Sequence, residues 1–438
     1  MWTAECPQGL WLAFAIRHSL LPGGHAWRVE KPFVVLNTIA GARIGPLADH
    51  LNAYLSLVRG QGYAPGSARI QAQVIASFSQ WLGRKGMEVR DLDENVVERF
   101  LQGHRGARSA SRGDAGTLKR LLRMLRQNGV TQEERRAAPS RQEMLTEDYR
   151  HYLLQERGLS QATAVNYLPF IVQFLSERFE GRRLNLSQLR APDVTSFIQR
   201  HARDFGPGSG KLLVTALRSF LRHLRHQGKI KTDLAACVPA VAWWSFATLP
   251  KFLPASDVQK VLKACDRQTA IGRRNYAILL LLARLGLRAG EVVALTLEDI
   301  DWDNGHITVR AKGGRWSQLP LPAEVGEGIA VYLRQDRVPG SCRRVFLRHR
   351  APFVGLANSI AISSLVMRAL KSAGVDSERK GAHLFRHGLA TEMLRQGASL
   401  DEIGDLLRHQ SPNTTAIYAK VDLVALRPLA LPWPGGAR

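Results

Sequence analysis

The chain has 438 residues, more than one compact core usually holds, and its 45% hydrophobic content argues against an intrinsically disordered polymer. Lysine and arginine number 61 against 37 acidic residues, a formal charge of +24 that a neutral-ligand enzyme does not need and a polyanion binder exploits. Nucleic acid is therefore the expected partner, ahead of an anionic membrane surface. The longest apolar run, AILLLLA at 277–283, lies between Arg274 and Arg284 and is far too short to span a bilayer. LWLAFAI near the N-terminus is brief and has no basic segment before it, so neither a signal peptide nor a membrane partner is expected. Cys6, Cys237, Cys265 and Cys342 are scattered without a CxxC pair, which speaks against a disulfide framework or structural zinc and for a reducing cytoplasm.

In chain order, residues 1–45 carry little pattern, with Trp2, Trp11 and Trp27 among glycines and prolines, and are read as an N-terminal extension. Two similar stretches follow: a helical module at 46–130 and, after a linker at 131–144, a second at 145–240. Each opens on a helical pattern that ends at a glycine turn, YLSLVRGQGYAPGSA in one and YLLQERGLSQATA in the other. Phe78 then matches Phe174, and VVERF at 96–100 matches VTSFI at 194–198. The closing helices, LKRLLRMLRQNG (118–129) and LRSFLRHLRHQG (217–228), agree best. Leu118, Leu121, Leu122 and Leu125 correspond to Leu217, Phe220, Leu221 and Leu224, one apolar face at helical spacing.

The same two helices carry Lys119, Arg123 and Arg126 in register with Arg218, Arg222 and Arg225. Spaced i, i+4, i+7, they form one basic stripe beside each buried face. A solvated helix surface is the ordinary reading of such residues. Here, however, residues 200–231 hold eight Lys and Arg against a single acid, Asp204, so the face is expected to have few internal partners and to suit a phosphate backbone.

After a linker at 241–252, a new domain is expected at 253–425, with a Pro-rich tail at 426–438. Ser256 and Gln259 form a capping-box pattern that predicts a helix start. NYAILLLLARLGLRAGEVVALTLEDIDW (275–302) reads as a buried helix broken at Gly286 and then an amphipathic one, with Arg288 just after the break and Glu291 one turn on. Residues 301–321 alternate like strands, with Asn304-Gly305 and Gly313-Gly314 as turns and Lys312 at a hairpin tip. HLFRHGLATEML (383–394) predicts a helix whose apolar side, Leu384, Phe385, Leu389 and Met393, anchors it while the first turn presents His383 and Arg386. Ser399 and Glu402 make another capping box, and Leu400, Ile403, Leu406 and Leu407 face a core in a helix that ends near His409. Pro412 opens a short helix carrying Tyr418. Taken singly each of these residues is ordinary, and no carboxylate or cysteine cluster at ligand spacing accompanies HxxR to make a metal site.

Taken in order they are specific. GLRAGE (286–291), AKGGR (311–315), HLFRHGLAT (383–391), LLRH (406–409) and TTAIY (414–418) together resemble the tyrosine recombinase (phage integrase) family. The resemblance covers about 253–425 and, more loosely, 145–240, which looks like that family's helical core-binding domain. It implies a multi-domain protein, mainly α with a small antiparallel sheet (α+β) in the catalytic domain and helical modules before it. It also implies a site-specific recombinase or integrase, of a mobile element, that breaks and rejoins DNA through a 3′-phosphotyrosyl link. By the resemblance Arg288 and Arg386 clamp the scissile phosphate and Tyr418 is the nucleophile. Lys312 protonates the leaving 5′ oxygen, His383 is general base or proton relay, and His409 donates to the phosphate. Glu291 supports Arg288, and His387 is assigned to structure.

No cofactor or metal is implied. The partners implied are double-stranded DNA and three further copies of the chain in a synaptic homotetramer, in a cytoplasmic, nucleoid-associated setting. Arg408 stands where a glycine commonly precedes the second histidine, a candidate for a further phosphate contact, and the duplicated helical module is also unusual. A type IB topoisomerase-like enzyme and a catalytically idle DNA-binding protein of the same fold remain as alternatives.

Overall fold

The computed structural model describes residues 45–104, 112–132, 138–180, 183–202, 204–240, 250–310, 314–379 and 381–421. The N-terminal extension up to residue 44, Lys312 and the Pro-rich tail lie outside the described residues. Contacts divide the chain into two units: Glu134–Ala247, and Met1–Glu133 together with Thr248–Arg438.

The first helical module consists of α1 (Ala48–Gly60), α2 (Pro65–Arg84), α3 (Glu94–His104) and α4 (Arg112–Gln127). In the second unit α5 (Arg141–His151) runs on through one π turn to Glu156 and is followed by α6 (Gln161–Arg178), α7 (Ala191–Ala202) and α8 (Pro207–His226). The four helices correspond one to one. Phe78 and Phe174 are both buried, as are Leu118, Leu121, Leu122 and Leu125 in α4 and Leu217, Phe220, Leu221 and Leu224 in α8. Each such side chain contributes about 1.5–3 kcal/mol by leaving water, which is why the apolar face is the part of the pattern that recurs. Both closing helices also end alike. Gly129 and Gly228 adopt positive φ, and the next residue donates back to the carbonyl of Leu125 or Leu224 at 2.9 Å.

One boundary needs correction. The linker expected at 131–144 overlaps α5, because Ser140 and Glu143 form a reciprocal capping box that starts the helix at Arg141. The polar residues that look like linker are the helix's own start signal.

The C-terminal part contains α9 (Ala255–Lys263), α10 (Ala270–Arg284), α11 (Ala289–Ala294), β1 (Ile300–Asp301), β2 (His306–Arg310), β3 (Trp316–Pro320), α12 (Ala323–Gln335), α13 (Ser359–Ser372), α14 (His383–Arg395), α15 (Leu400–Leu407) and α16 (Pro412–Thr415), then a 3₁₀ segment Ala416–Val421. The strands form one antiparallel sheet in the order β1-β2-β3, with Ile307 opposite Leu319 and Val309 opposite Ser317. Ile307, Val309 and Leu319 are buried, so the sheet offers one apolar face to the core. Helix α10 is apolar nearly all round, with Ala277 to Leu282 fully buried, and packs against α12 and α14 as the central element.

Helix α9 does not begin as the Ser256/Gln259 pattern predicts. Its N-cap is Pro254, whose carbonyl accepts from the amides of Asp257 and Val258 at 3.0 Å, and Ser256 falls inside the first turn. Proline's fixed φ sets its carbonyl as the first acceptor without help from a side-chain cap. The first helical module and the C-terminal part meet where the Phe353 amide donates to the Gln61 carbonyl at 3.4 Å. The Phe353 ring there occupies the space beside Gly62, where a Cβ would come within 2.3 Å of it.

Candidate active site

Gly286 closes α10 at φ 56, and a Cβ on it would sit 2.8 Å from Leu407 and 3.2 Å from Leu389. The turn therefore requires glycine twice, for its backbone and for the closeness of α14 and α15. Its carbonyl accepts from Nη1 of Arg386 at 2.6 Å, while Nη2 of Arg386 donates to the Leu407 carbonyl. One guanidinium thus ties together the end of α10, the first turn of α14 and the end of α15. Arg386 is only 4% exposed. Burial pushes its guanidinium down to about 9, Arg288 and Arg408 add repulsion and Glu291 relieves it, so it remains charged at neutral pH.

Two residues past Gly286, Arg288 is the N-cap of α11 and keeps 27% of its side chain exposed. The Glu291 carboxylate holds it twice, accepting from Arg288 Nη1 and from its backbone N–H, both at 2.8 Å. Oε2 of Glu291, the oxygen that accepts the backbone N–H, also accepts from Arg408 Nη2 at 3.0 Å. Arg408 ends α15 in the left-handed region, φ 55. For an arginine that conformation costs about 1–2 kcal/mol, which the glycine usual at such a cap avoids.

The first turn of α14 splits its polar residues. His383 is exposed at its outer edge; partial desolvation first, then Arg386 and Arg288, hold its pKa below the ordinary imidazole value. Leu384 and Phe385 enter the main core, whereas Leu389 and Met393 pack on a second cluster of Ala390, Ile403, Leu407 and Tyr418. The apolar residues of 383–394 therefore serve two cores on two sides, one of which holds the tyrosine.

Tyr418 is 1% exposed. Its hydroxyl shares a 2.8 Å hydrogen bond with Nδ1 of His387. Burial pushes the phenol up to about 12, and Arg386 and Arg288 both pull it back. His409 lies parallel to the Tyr418 ring with centroids 6.5 Å apart, and its Nδ1 pairs with the Thr415 hydroxyl at 2.8 Å. His387 and His409 are each pushed down to about 4, chiefly by desolvation and then by neighbouring positive groups. A neutral His387 in its Nε2-protonated form accepts a hydrogen bond from the phenol O–H through Nδ1.

The structure thus brings Arg288, Glu291, His383, Arg386, His409 and Tyr418 into one cluster, and Lys312 falls outside the described residues. Sequence reasoning gave His387 to structure and missed its contact with the tyrosine. The available signal was its i+4 spacing from His383, which places both rings on one helix face 6.3 Å apart. Among the described residues no three His, Cys, Asp or Glu side chains gather as metal ligands, and no helix is long and apolar enough to cross a membrane.

The basic stripes are less free than their sequence suggests. Arg126 binds Glu94 through two bonds of 2.6 and 2.7 Å, Arg225 binds Asp233 at 2.7 Å, and Arg218 donates to the Val238 carbonyl at 2.9 Å. The partners sit on neighbouring segments, which the local acid count could not register. Lys119 is exposed and acts electrostatically on Glu94. Arg123 and Arg222 are exposed and have no hydrogen-bond or ion-pair partner among the described residues. Charge reversal of Arg222 alone is expected to weaken duplex binding and to lower the slope of log affinity against log salt by about 1. Reversal of Arg225 is expected to have the smaller effect. Filter binding across a salt series distinguishes them, and an unchanged slope for Arg222→Glu makes the stripe a solvated surface.

The two depressed histidines set a pH dependence of stability. With folded pKa values near 4 and an ordinary value of 6.5, the unfolded chain binds protons that the folded one refuses between those limits. Stability is fully present above about 6.5 and is lost as pH falls towards 4. Melting temperature measured from pH 7 to 4.5 is expected to fall less steeply for His409→Asn than for the parent. An equal slope removes His409 from that account.

Comparison with known proteins follows the same two segments. The phage integrase family matches residues 251–423, and the phage integrase N-terminal SAM-like domain matches 146–228. The chain is 47% identical over 396 residues to y4rA of Sinorhizobium fredii, named as an integrase/recombinase, covering 90% of this chain and 96% of that one. It is 31% identical over 295 residues to the tyrosine recombinase XerD of Listeria monocytogenes, covering 65% of this chain and 96% of the relative. In fold it is similar to the XerH site-specific recombinase bound to its palindromic difH substrate, with TM-score 0.53 and 20% identity over 78% of this chain and 97% of that one.

Proposed function

The chain belongs to the phage integrase family, and from that premise we propose how its own residues break and rejoin DNA. It is a site-specific tyrosine recombinase acting on duplex DNA. The observation that carries the residue assignment is the environment of Tyr418: a buried phenol under the electrostatic influence of both Arg386 and Arg288, bonded to His387 and stacked on His409.

Arg288 and Arg386 take the two non-bridging oxygens of one phosphodiester. Guanidinium suits this task because its planar fork meets phosphate oxygens and keeps its charge through the reaction. The Tyr418 oxygen attacks phosphorus, forming the P–O bond to the 3′ side, and the 5′ oxygen leaves. In the resting state the phenol keeps its proton and donates it in a hydrogen bond to Nδ1 of His387, and His383 or His387 takes that proton as the bond to phosphorus forms. Lys312 supplies the proton to the departing oxygen, and His409 donates to the phosphate. Extra negative charge on the pentacoordinate phosphorus is met by fixed cations, which lowers the barrier without reorganisation. Reversal by another strand's 5′ hydroxyl rejoins the backbone with no energy input. Two duplexes have four strands to exchange, which calls for four such tyrosines and hence a homotetramer in the synaptic complex. A cytoplasmic, nucleoid-associated role in moving a mobile element fits this chemistry.

The test is covalent capture on a nicked duplex taken from the site that the protein protects in the DNA flanking its own coding sequence. The nick lets the cleaved end diffuse away, so the protein–DNA link accumulates. Capture is expected in the presence of EDTA at the rate seen without it. Capture that requires added divalent cation contradicts the guanidinium account.

A further inference from the structure

Arg408, expected from the sequence as a candidate phosphate contact, is instead turned inward: its side chain is 6% exposed and its partner Glu291 4% exposed. A long, buried cation in a left-handed backbone conformation is held there by its surroundings, not by local preference. Its Nη1 donates to the Leu406 carbonyl at 3.1 Å and its Nη2 to Glu291 at 3.0 Å, while Nε is buried without a hydrogen-bond partner among the described residues. Glu291 receives Arg288 on one oxygen, and Arg408 with the Arg288 amide on the other. The carboxylate accepts three hydrogen bonds, and its plane is fixed from two sides.

Charge gives this arrangement a purpose. Glu291 by itself would neutralise Arg288 and leave Arg386 as the uncompensated guanidinium of the cluster. With Arg408 present, three guanidiniums face one carboxylate. These four side chains then carry two net positive charges, facing a phosphorane that bears two negative charges, one of them already present in the phosphodiester. We propose that Arg408 is a positioning residue for DNA cleavage: it clamps Glu291 opposite Arg288, fixing the Arg288 fork for the scissile phosphate and offsetting the carboxylate's charge. This rests on the reading in which Arg288 and Arg386 hold that phosphate.

The test uses Arg408→Gly in the full chain, since glycine prefers this backbone conformation and so offsets part of the stability lost with the buried ion pair. Single-turnover cleavage of the nicked duplex is expected to fall roughly 10- to 100-fold, with duplex affinity changed less than about threefold. Arg408→Lys, which keeps the charge and loses the fork, is expected to recover part of the rate. On a duplex with an uncharged methylphosphonate at the scissile position, the gap between parent and Arg408→Gly should close to within about threefold, because its phosphorane carries one negative charge where that of the phosphodiester carries two.

Parental cleavage by Arg408→Gly overturns the proposal, and so does a deficit of equal size on both linkages, which would mean a merely structural role. If the glycine variant does not fold, Arg408→Asn, the next best residue for a left-handed cap, carries the same expectations. Arg288→Ala and Tyr418→Phe run in parallel separate the two levels. If these still cleave, it is the underlying assignment that has failed.

Discussion

Tyr418→Phe is expected to remove covalent capture of DNA completely while leaving duplex affinity unchanged. The phenolic oxygen is the atom that forms the bond to phosphorus, and no arrangement of guanidiniums substitutes for an absent nucleophile. The ring itself stays. It is buried against Ala390, Ile403 and Leu407 and parallel to His409, and phenylalanine fills the same space. What is lost structurally is the hydrogen bond to His387, worth about 1 kcal/mol, so the melting temperature should move by only a few degrees. Loss of capture with retained folding and binding is therefore a chemical effect. Covalent product from the Phe variant means that another residue attacks.

Arg386→Lys is expected to lower the single-turnover cleavage rate by roughly 10²- to 10³-fold, the cost typical of removing one preorganised donor at developing negative charge. Lysine retains the positive charge but offers one compact ammonium where arginine has a fork. In this protein Nη1 and Nη2 are already committed to the carbonyls of Gly286 and Leu407, which aim the group. A shorter lysine, with its donors on one nitrogen, does not reproduce the two-pronged reach to both carbonyls, so some loss of stability accompanies the loss of rate. Arg386→Ala is the poorer probe, because it leaves both carbonyls buried and unpaired and conflates folding with chemistry. A Lys variant with near-parental cleavage would confine Arg386 to holding α10, α14 and α15 together.

Much of this was legible in the sequence, for identifiable reasons. The apolar faces of α4 and α8 recur because burial fixes residue type at helical spacing, and both faces are fully buried. The ordered boxes around Arg288, Arg386, His409 and Tyr418 are recognisable because each lies at an element end with a strong local signal: a glycine break, a helix first turn, or a proline start. Partners contributed by distant segments left no such trace. Glu94 claims Arg126 from 32 positions away, whereas Asp233, eight residues after Arg225, lies just past the stretch whose acids were counted. His387 looked like one more residue of a helix, since its partner Tyr418 is 31 positions away. The pairing of Arg408 with Glu291 spans 117 positions and carries only one sequence sign, an arginine where glycine is usual. The linker at 131–144 failed for the opposite reason, because capping residues and linker residues are the same polar types.

The central claim, that Tyr418 receives the 3′ phosphate of a cleaved strand, is tested most directly by mass spectrometry of the captured complex after nuclease and trypsin. Cleavage after Arg408 and Lys420 isolates residues 409–420, HQSPNTTAIYAK, a peptide with one tyrosine. The account predicts a nucleotide linked through its 3′ phosphate to Tyr418 in that peptide, with a free 5′ hydroxyl on the other DNA end. A nucleotide on any other residue, or one linked through its 5′ phosphate, contradicts it.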